Sequence, residues 1–176
     1  MILLTATTAM ETSTRKWKVA LFAGVATAIV AALLVSLVNT PVLPALLGLL
    51  LGAAPVVGFD LARGAFGRSW RPVVAGLIGN VLFLAALFMP GAAPIMVPLL
   101  GILSMILWPI VVGAMVQAFS LGRLFLWSLI GLVLGVVAVL VVVAPTLGQD
   151  PYGWLTPGAM VFWGVWGAAV AIGMGR

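Results

Sequence analysis

The chain has 176 residues, 65% of them hydrophobic and 6% charged, and its mean hydropathy is +1.36. That leaves too little polar surface to cover a water-soluble globule, so lipid is the expected solvent and an all-α polytopic membrane protein the expected class. A net charge of +5 would suit nucleic acid in a soluble protein, but here the basic residues gather at helix ends, so membrane lipids and not nucleic acid are the expected partners.

Residues 1–18 read as a flexible cytoplasmic tail that ends in the anchor Arg15-Lys16-Trp17-Lys18, and residues 19–176 as one six-helix transmembrane domain. Met10 is an alternative start, since nothing before it is needed for insertion. The first apolar run, 19–38, is a full span and too long for the core of a cleaved signal. Asn39-Thr40-Pro41 turns the chain into a second helix over 42–59. A connection over 60–72 leads to helix 3 at 73–89, and Pro90-Gly91 with Pro94 makes the next turn. Helix 4 spans 95–119 and is expected to kink at Pro109. A tight turn at 120–123 precedes helix 5 at 124–144, a loop runs over 145–157, and helix 6 takes 158–174.

All eight basic residues lie at one set of helix ends. Arg15, Lys16 and Lys18 precede helix 1, Arg63, Arg68 and Arg71 separate helices 2 and 3, Arg123 separates 4 and 5, and Arg176 follows 6. Lys and Arg in short loops are retained on the cytoplasmic side, so both termini are expected inside, in a cell (inner) membrane.

A shift of 55 positions aligns Val56, Val57, Gly58, Gly67, Arg68, Gly76, Leu77, Val81 and Pro90 with Val111, Val112, Gly113, Gly122, Arg123, Gly131, Leu132, Val136 and Pro145. Helices 2–3 and 4–5 therefore read as an internal repeat, parallel as the charge pattern requires. Gly175-Arg176 gives a third Gly-Arg and suggests that helices 6 and 1 form the remaining pair.

Chemistry is restricted by what is missing. Without His or Cys the chain has no imidazole-ligated haem, thiolate-held zinc or iron–sulfur site, disulfide or thiol nucleophile. No cofactor or metal is expected. The three acids, Glu11, Asp60 and Asp150, read as lying outside the apolar runs, which leaves no intramembrane carboxylate for a proton relay. No base is placed near a Ser or Thr, so an enzyme is not expected.

Ala20, Gly24, Ala28, Ala32 and Ser36 recur every four residues and form one ridge of small side chains on helix 1, with a counterpart in Gly167, Ala171 and Gly175. Such a ridge packs the bundle internally or docks on another subunit. Polar residues in the spans are few: Thr27, Ser36, Asn80, Ser104, Gln117 and Ser128. Asn80 and Gln117 each need a partner in hydrocarbon. Asn80 makes either one interhelical hydrogen bond of about 1 kcal/mol or a polar contact in a substrate cavity.

Trp17, Trp70 and Trp127 fall near the inner boundary and Trp154 near the outer one, as an aromatic belt requires, while Trp108, Trp163 and Trp166 lie deeper. The outer loop, with Gln149, Asp150, Tyr152 and Trp154, is either a lid over the bundle mouth or an interfacial anchor. The inner loop offers Arg63, Arg68, Trp70 and Arg71 to anionic lipid headgroups or an acidic partner surface, or carries only topogenic charge. Asp60 and Arg63 can pair there as helix-end neighbours.

Two functional classes remain. The first is a non-catalytic accessory or structural subunit that assembles with other membrane protein subunits. The second is a small membrane transporter or substrate-binding module. Six helices, both ends inside, this length and the small-residue ridge on helix 1 resemble the substrate-capture subunits of energy-coupling-factor vitamin transporters. The resemblance implies a ligand held beneath the outer loop, with Asn80, Gln149, Asp150, Tyr152 and Trp154 converging on it.

Overall fold

In a computed structural model the chain forms six helices: α1 (Ile2–Ser36), α2 (Leu43–Ala62), α3 (Arg71–Leu87), α4 (Met96–Val116), α5 (Leu121–Val143) and α6 (Leu155–Met174). The structure describes residues 2–36, 43–65, 67–87, 96–116, 119–144 and 155–175, and no strand occurs among them. Three segments are long and apolar enough to cross a membrane: Arg15–Ser36, Leu121–Val142 and Thr156–Met174. The shorter apolar stretches Gly48–Ala62, Arg71–Leu82 and Met105–Met115 come from α2, α3 and α4.

Helix α1 starts at Ile2 and runs through residue 18 into the first span. No Gly or Pro precedes Gly24, so nothing in that stretch stops a helix. Helices α3 and α6 begin earlier than expected, because Pro72 and Pro157 sit in their first turns, where the missing N–H is not needed. Helix α5 starts at Leu121 behind Ser120, whose backbone is extended (φ −70°, ψ 114°) and whose carbonyl accepts from the Leu124 N–H at 2.9 Å.

Each helix packs on the next in sequence, and α6 closes the ring by packing on α1 and also on α2. The contacts run in opposite senses along neighbouring helices of the ring. Between α1 and α2, for example, Ala23 meets Gly58, and Ala31 and Leu34 pack with Leu51. The up-and-down order brings residues 15–18, 60–71 and 119–123 to one end of the bundle, called here the basic end.

Close backbone approach holds the pairs together. A Cβ at Gly48 or Gly79 would collide with the other's carbonyl oxygen. One at Gly52 would lie 2.7 Å from the Ala75 oxygen, and one at Gly76 would lie 2.8 Å from the Leu49 oxygen. Only hydrogen fits at these four positions, so the α2–α3 pair is joined by glycine on both sides.

Helix α1 uses part of its small-residue ridge against α6. A Cβ at Gly24 would lie 3.0 Å from the Gly164 oxygen, and one at Gly164 would lie 3.2 Å from the Ala28 Cβ. Of the other ridge members, Ala20 is buried, Ala32 is half-buried, and exposed Ser36 donates its hydroxyl to the Leu33 carbonyl at 2.6 Å. In the proposed counterpart, Gly167 faces Thr27 and Ala171 is buried, whereas Gly175 meets only the Ile172 carbonyl of its own helix. Buried Thr27 donates to the Ala23 carbonyl at 2.7 Å, which satisfies its hydroxyl within α1. The opposite face of α1, with Leu21, Val25, Ile29 and Leu33, stays exposed.

Candidate functional site

The centre of the bundle is organised around a hydrogen bond missing from α4. Pro109 has no N–H, so the Met105 carbonyl four residues earlier loses its helical partner. The Ser128 hydroxyl of α5 donates to that oxygen at 3.3 Å, and the Trp166 Nε1–H of α6 donates to the Ser128 oxygen at 3.0 Å. On the other side, Trp108 Nε1–H donates to the Ala75 carbonyl of α3 at 3.0 Å. Gly52 makes room for that nitrogen, since a Cβ there would lie 3.1 Å from it.

The rings form a ladder. Trp108 and Trp166 are 5.5 Å apart and inclined at 62°, Trp166 and Trp163 are 5.4 Å apart at 89°, and Trp163 and Phe162 are 5.4 Å apart at 87°. Edge-to-face pairs of this kind add about 0.5–1.5 kcal/mol each beyond their burial. Four helices are thus tied by indole nitrogens, one hydroxyl and two backbone carbonyls. Ser128 is buried between an indole donor and a carbonyl acceptor, and neither of these can act as a base toward it.

One turn toward the basic end, Val56, Val112 and Val170 are fully buried in the same core. The next turn brings Phe59 and Phe119 together edge to face, with centroids 5.8 Å apart. The Arg63 guanidinium lies 4.4 Å over the Phe59 ring and that of Arg71 lies 5.6 Å over Phe119. Arg123 donates from Nη2 to the Ile172 carbonyl at 3.3 Å, which satisfies an end carbonyl of α6.

Asp60 corrects an expectation. It belongs to α2, not to a loop outside the apolar run, and it is 1% exposed. The helix continues to Ala62, and the i, i+4, i+8 row Gly52, Val56, Asp60 faces inward along its whole length. Neither carboxylate oxygen has a hydrogen-bond partner among the described residues. Its backbone carbonyl, by contrast, accepts from the N–H groups of Arg63 at 3.2 Å and Ala65 at 2.9 Å.

Asn80 sits on α3 with its backbone against Gly48, and its side-chain oxygen is buried without a hydrogen-bond partner among the described residues. Gln117, Gln149, Asp150, Tyr152 and Trp154 lie outside the described residues. In the inner loop Arg68 and Trp70 are exposed, and Gly64 (φ 67°) and Gly67 (φ 79°) take left-handed turns that glycine adopts without strain. No group of three or more metal-ligating side chains occurs among the described residues.

Sequence reasoning missed the burial of Asp60 and the role of Ser128. The spacing of Met105 and Pro109 was the available signal for the second, because it marks a carbonyl that needs an outside donor. No protein family, curated protein or solved structure was found to match this chain.

Proposed function

We propose that this chain is a non-catalytic integral membrane protein with six spans and both termini on the cytoplasmic side, acting as an accessory or structural subunit of a larger membrane complex. One observation carries this reading: the Ser128 hydroxyl and the indole N–H groups of Trp108 and Trp166 are occupied by backbone carbonyls and by each other. A reaction centre needs a nucleophile beside a base, and Ser128, the hydroxyl at that centre, has none. The exposed aliphatic faces of α1 and α5 support a lipid or subunit environment on the outside. The gathering of basic residues at one end supports the orientation, and the 55-residue spacing of Gly-Arg pairs supports an internal repeat.

A second reading, a small transporter or substrate-binding module, is favoured by the three buried acceptor oxygens without a described partner, two on Asp60 and one on Asn80. Groups of that kind are expensive in a membrane interior and mark ligand sites when a ligand supplies the missing donor. Native mass spectrometry of the protein extracted from its own membrane separates the two. Stoichiometric companion subunits support assembly; a lone chain carrying a small molecule supports transport and overturns the first reading.

A further inference from the structure

At the basic end, Arg15, Lys16 and Lys18 of α1 and Arg68 of the α2–α3 loop are all exposed. Asp60, near the end of α2, is buried beneath that surface and not part of it. Trp17 and Trp70 lie among these cations with 72% and 58% of their surface exposed.

The next turns away from the end are exposed aliphatics, Leu21 on the helix face of Trp17 and Val73 after Trp70. Moving along either helix, the outer surface passes from aliphatic to indole to cation. An acidic soluble partner would call for the cations but not for aromatic rings continuous with an aliphatic flank. A lipid leaflet calls for all three, because acyl chains, the glycerol region and phosphates follow one another over the same depth. Gly64 and Gly67 are exposed at the same end, and an added Cβ at either would meet nothing within 4 Å among the described residues.

We propose that the basic end is a binding surface for anionic lipid headgroups, built jointly by α1 and the α2–α3 loop. Phosphates lie on Lys16, Lys18 and Arg68, while Trp17 and Trp70 fix the depth. The surface rests on the membrane-spanning reading but not on the choice between subunit and transporter.

The test uses the full chain in mild detergent doped with equal amounts of phosphatidylglycerol and phosphatidylcholine, with retained lipid counted by native mass spectrometry. Wild type retains phosphatidylglycerol in several-fold excess. In the triple variant K16Q/K18Q/R68Q that excess falls toward equal retention of the two lipids. These three side chains are exposed and make no hydrogen bond among the described residues, and circular dichroism checks that helicity is kept. The variant W17A/W70A lowers retention of both lipids without changing their ratio. Equal retention of the two lipids by wild type, or an unchanged ratio in the triple variant, overturns the proposal. Retention of added poly-glutamate in place of phosphatidylglycerol overturns it in favour of an acidic protein partner. Release of the chain from membranes by alkaline carbonate without detergent would defeat the spanning reading itself, which is a separate outcome.

Discussion

Ser128 on α5 donates its hydroxyl to the Met105 carbonyl of α4, the oxygen that Pro109 deprives of its helical partner. A missing helical hydrogen bond is thereby replaced from a neighbouring helix, and the replacement is in turn fixed by Trp166.

We expect Ser128→Ala to destabilise the protein by about 1–3 kcal/mol, since it leaves both the Met105 oxygen and the Trp166 Nε1–H without a partner. Pro109→Ala restores an N–H opposite Met105, so the double variant should lose less than the sum of the singles. Unfolding of all four proteins in mixed micelles measures this coupling. Strict additivity would show that Ser128 does not substitute for the missing bond.

Gly79→Ala places a methyl group against the Gly48 carbonyl, and the clash is with backbone that cannot rotate away. We expect a loss of at least about 2 kcal/mol, seen as a lowered thermal midpoint. Gly122→Ala is the control, because a Cβ there meets nothing within 4 Å. It should stabilise α5 by up to about 1 kcal/mol. If both variants behave alike, close α2–α3 approach is not what the glycines provide.

Asp60→Asn removes a buried charge whose oxygens accept no hydrogen bond from the described residues. A gain of about 1 kcal/mol or more in stability is expected, because the desolvation penalty of the carboxylate disappears. Ligand-dependent stabilisation, if the chain carries a ligand at this end, should vanish in the same variant. A thermal midpoint below that of wild type would show that Asp60 is held by an interaction the carboxamide cannot reproduce.

Leucine at Gly24 should disrupt the chain itself, since a Cβ there already approaches Gly164 and Ala168 of α6. Ala32→Leu, on the same ridge but half-buried, should be tolerated by the isolated protein. In the assembly reading, Ala32→Leu then reduces co-purification of companion subunits while the thermal midpoint is kept. Equal loss of stability in both variants would make the whole ridge internal.

The six helices were legible because Pro-containing turns and runs of basic residues punctuate the apolar stretches. Their starts were less legible: Pro72 and Pro157 read as stops, whereas each is tolerated in a first helical turn. The ridge on α1 was visible from a single strand of sequence, since Ala20, Gly24 and Ala28 repeat at one interval. The tighter α2–α3 contact was not, because Gly48, Gly52, Gly76 and Gly79 acquire meaning only when two helices are known to face one another. Positions paired by the 55-residue shift also differ in surroundings. Gly76 approaches Leu49 of α2, but Gly131 approaches Trp166 and Ala169 of α6. Asp60 was misplaced for a related reason: a charge normally ends an apolar span, and only the inward row Gly52, Val56, Asp60 reveals that the helix carries it inside.

The closure of the ring by α6 on α1 has a consequence for biogenesis. The face of α1 that carries Gly24 and Thr27 is completed by Gly164 and Gly167, near the opposite end of the chain. At ordinary synthesis speeds the first helix waits on the order of ten seconds before its neighbour emerges from the ribosome. Throughout that interval the first helix exposes a groove of small side chains to whatever lies beside it. The sixth helix is therefore the one that ends the first helix's exposure to wrong companions.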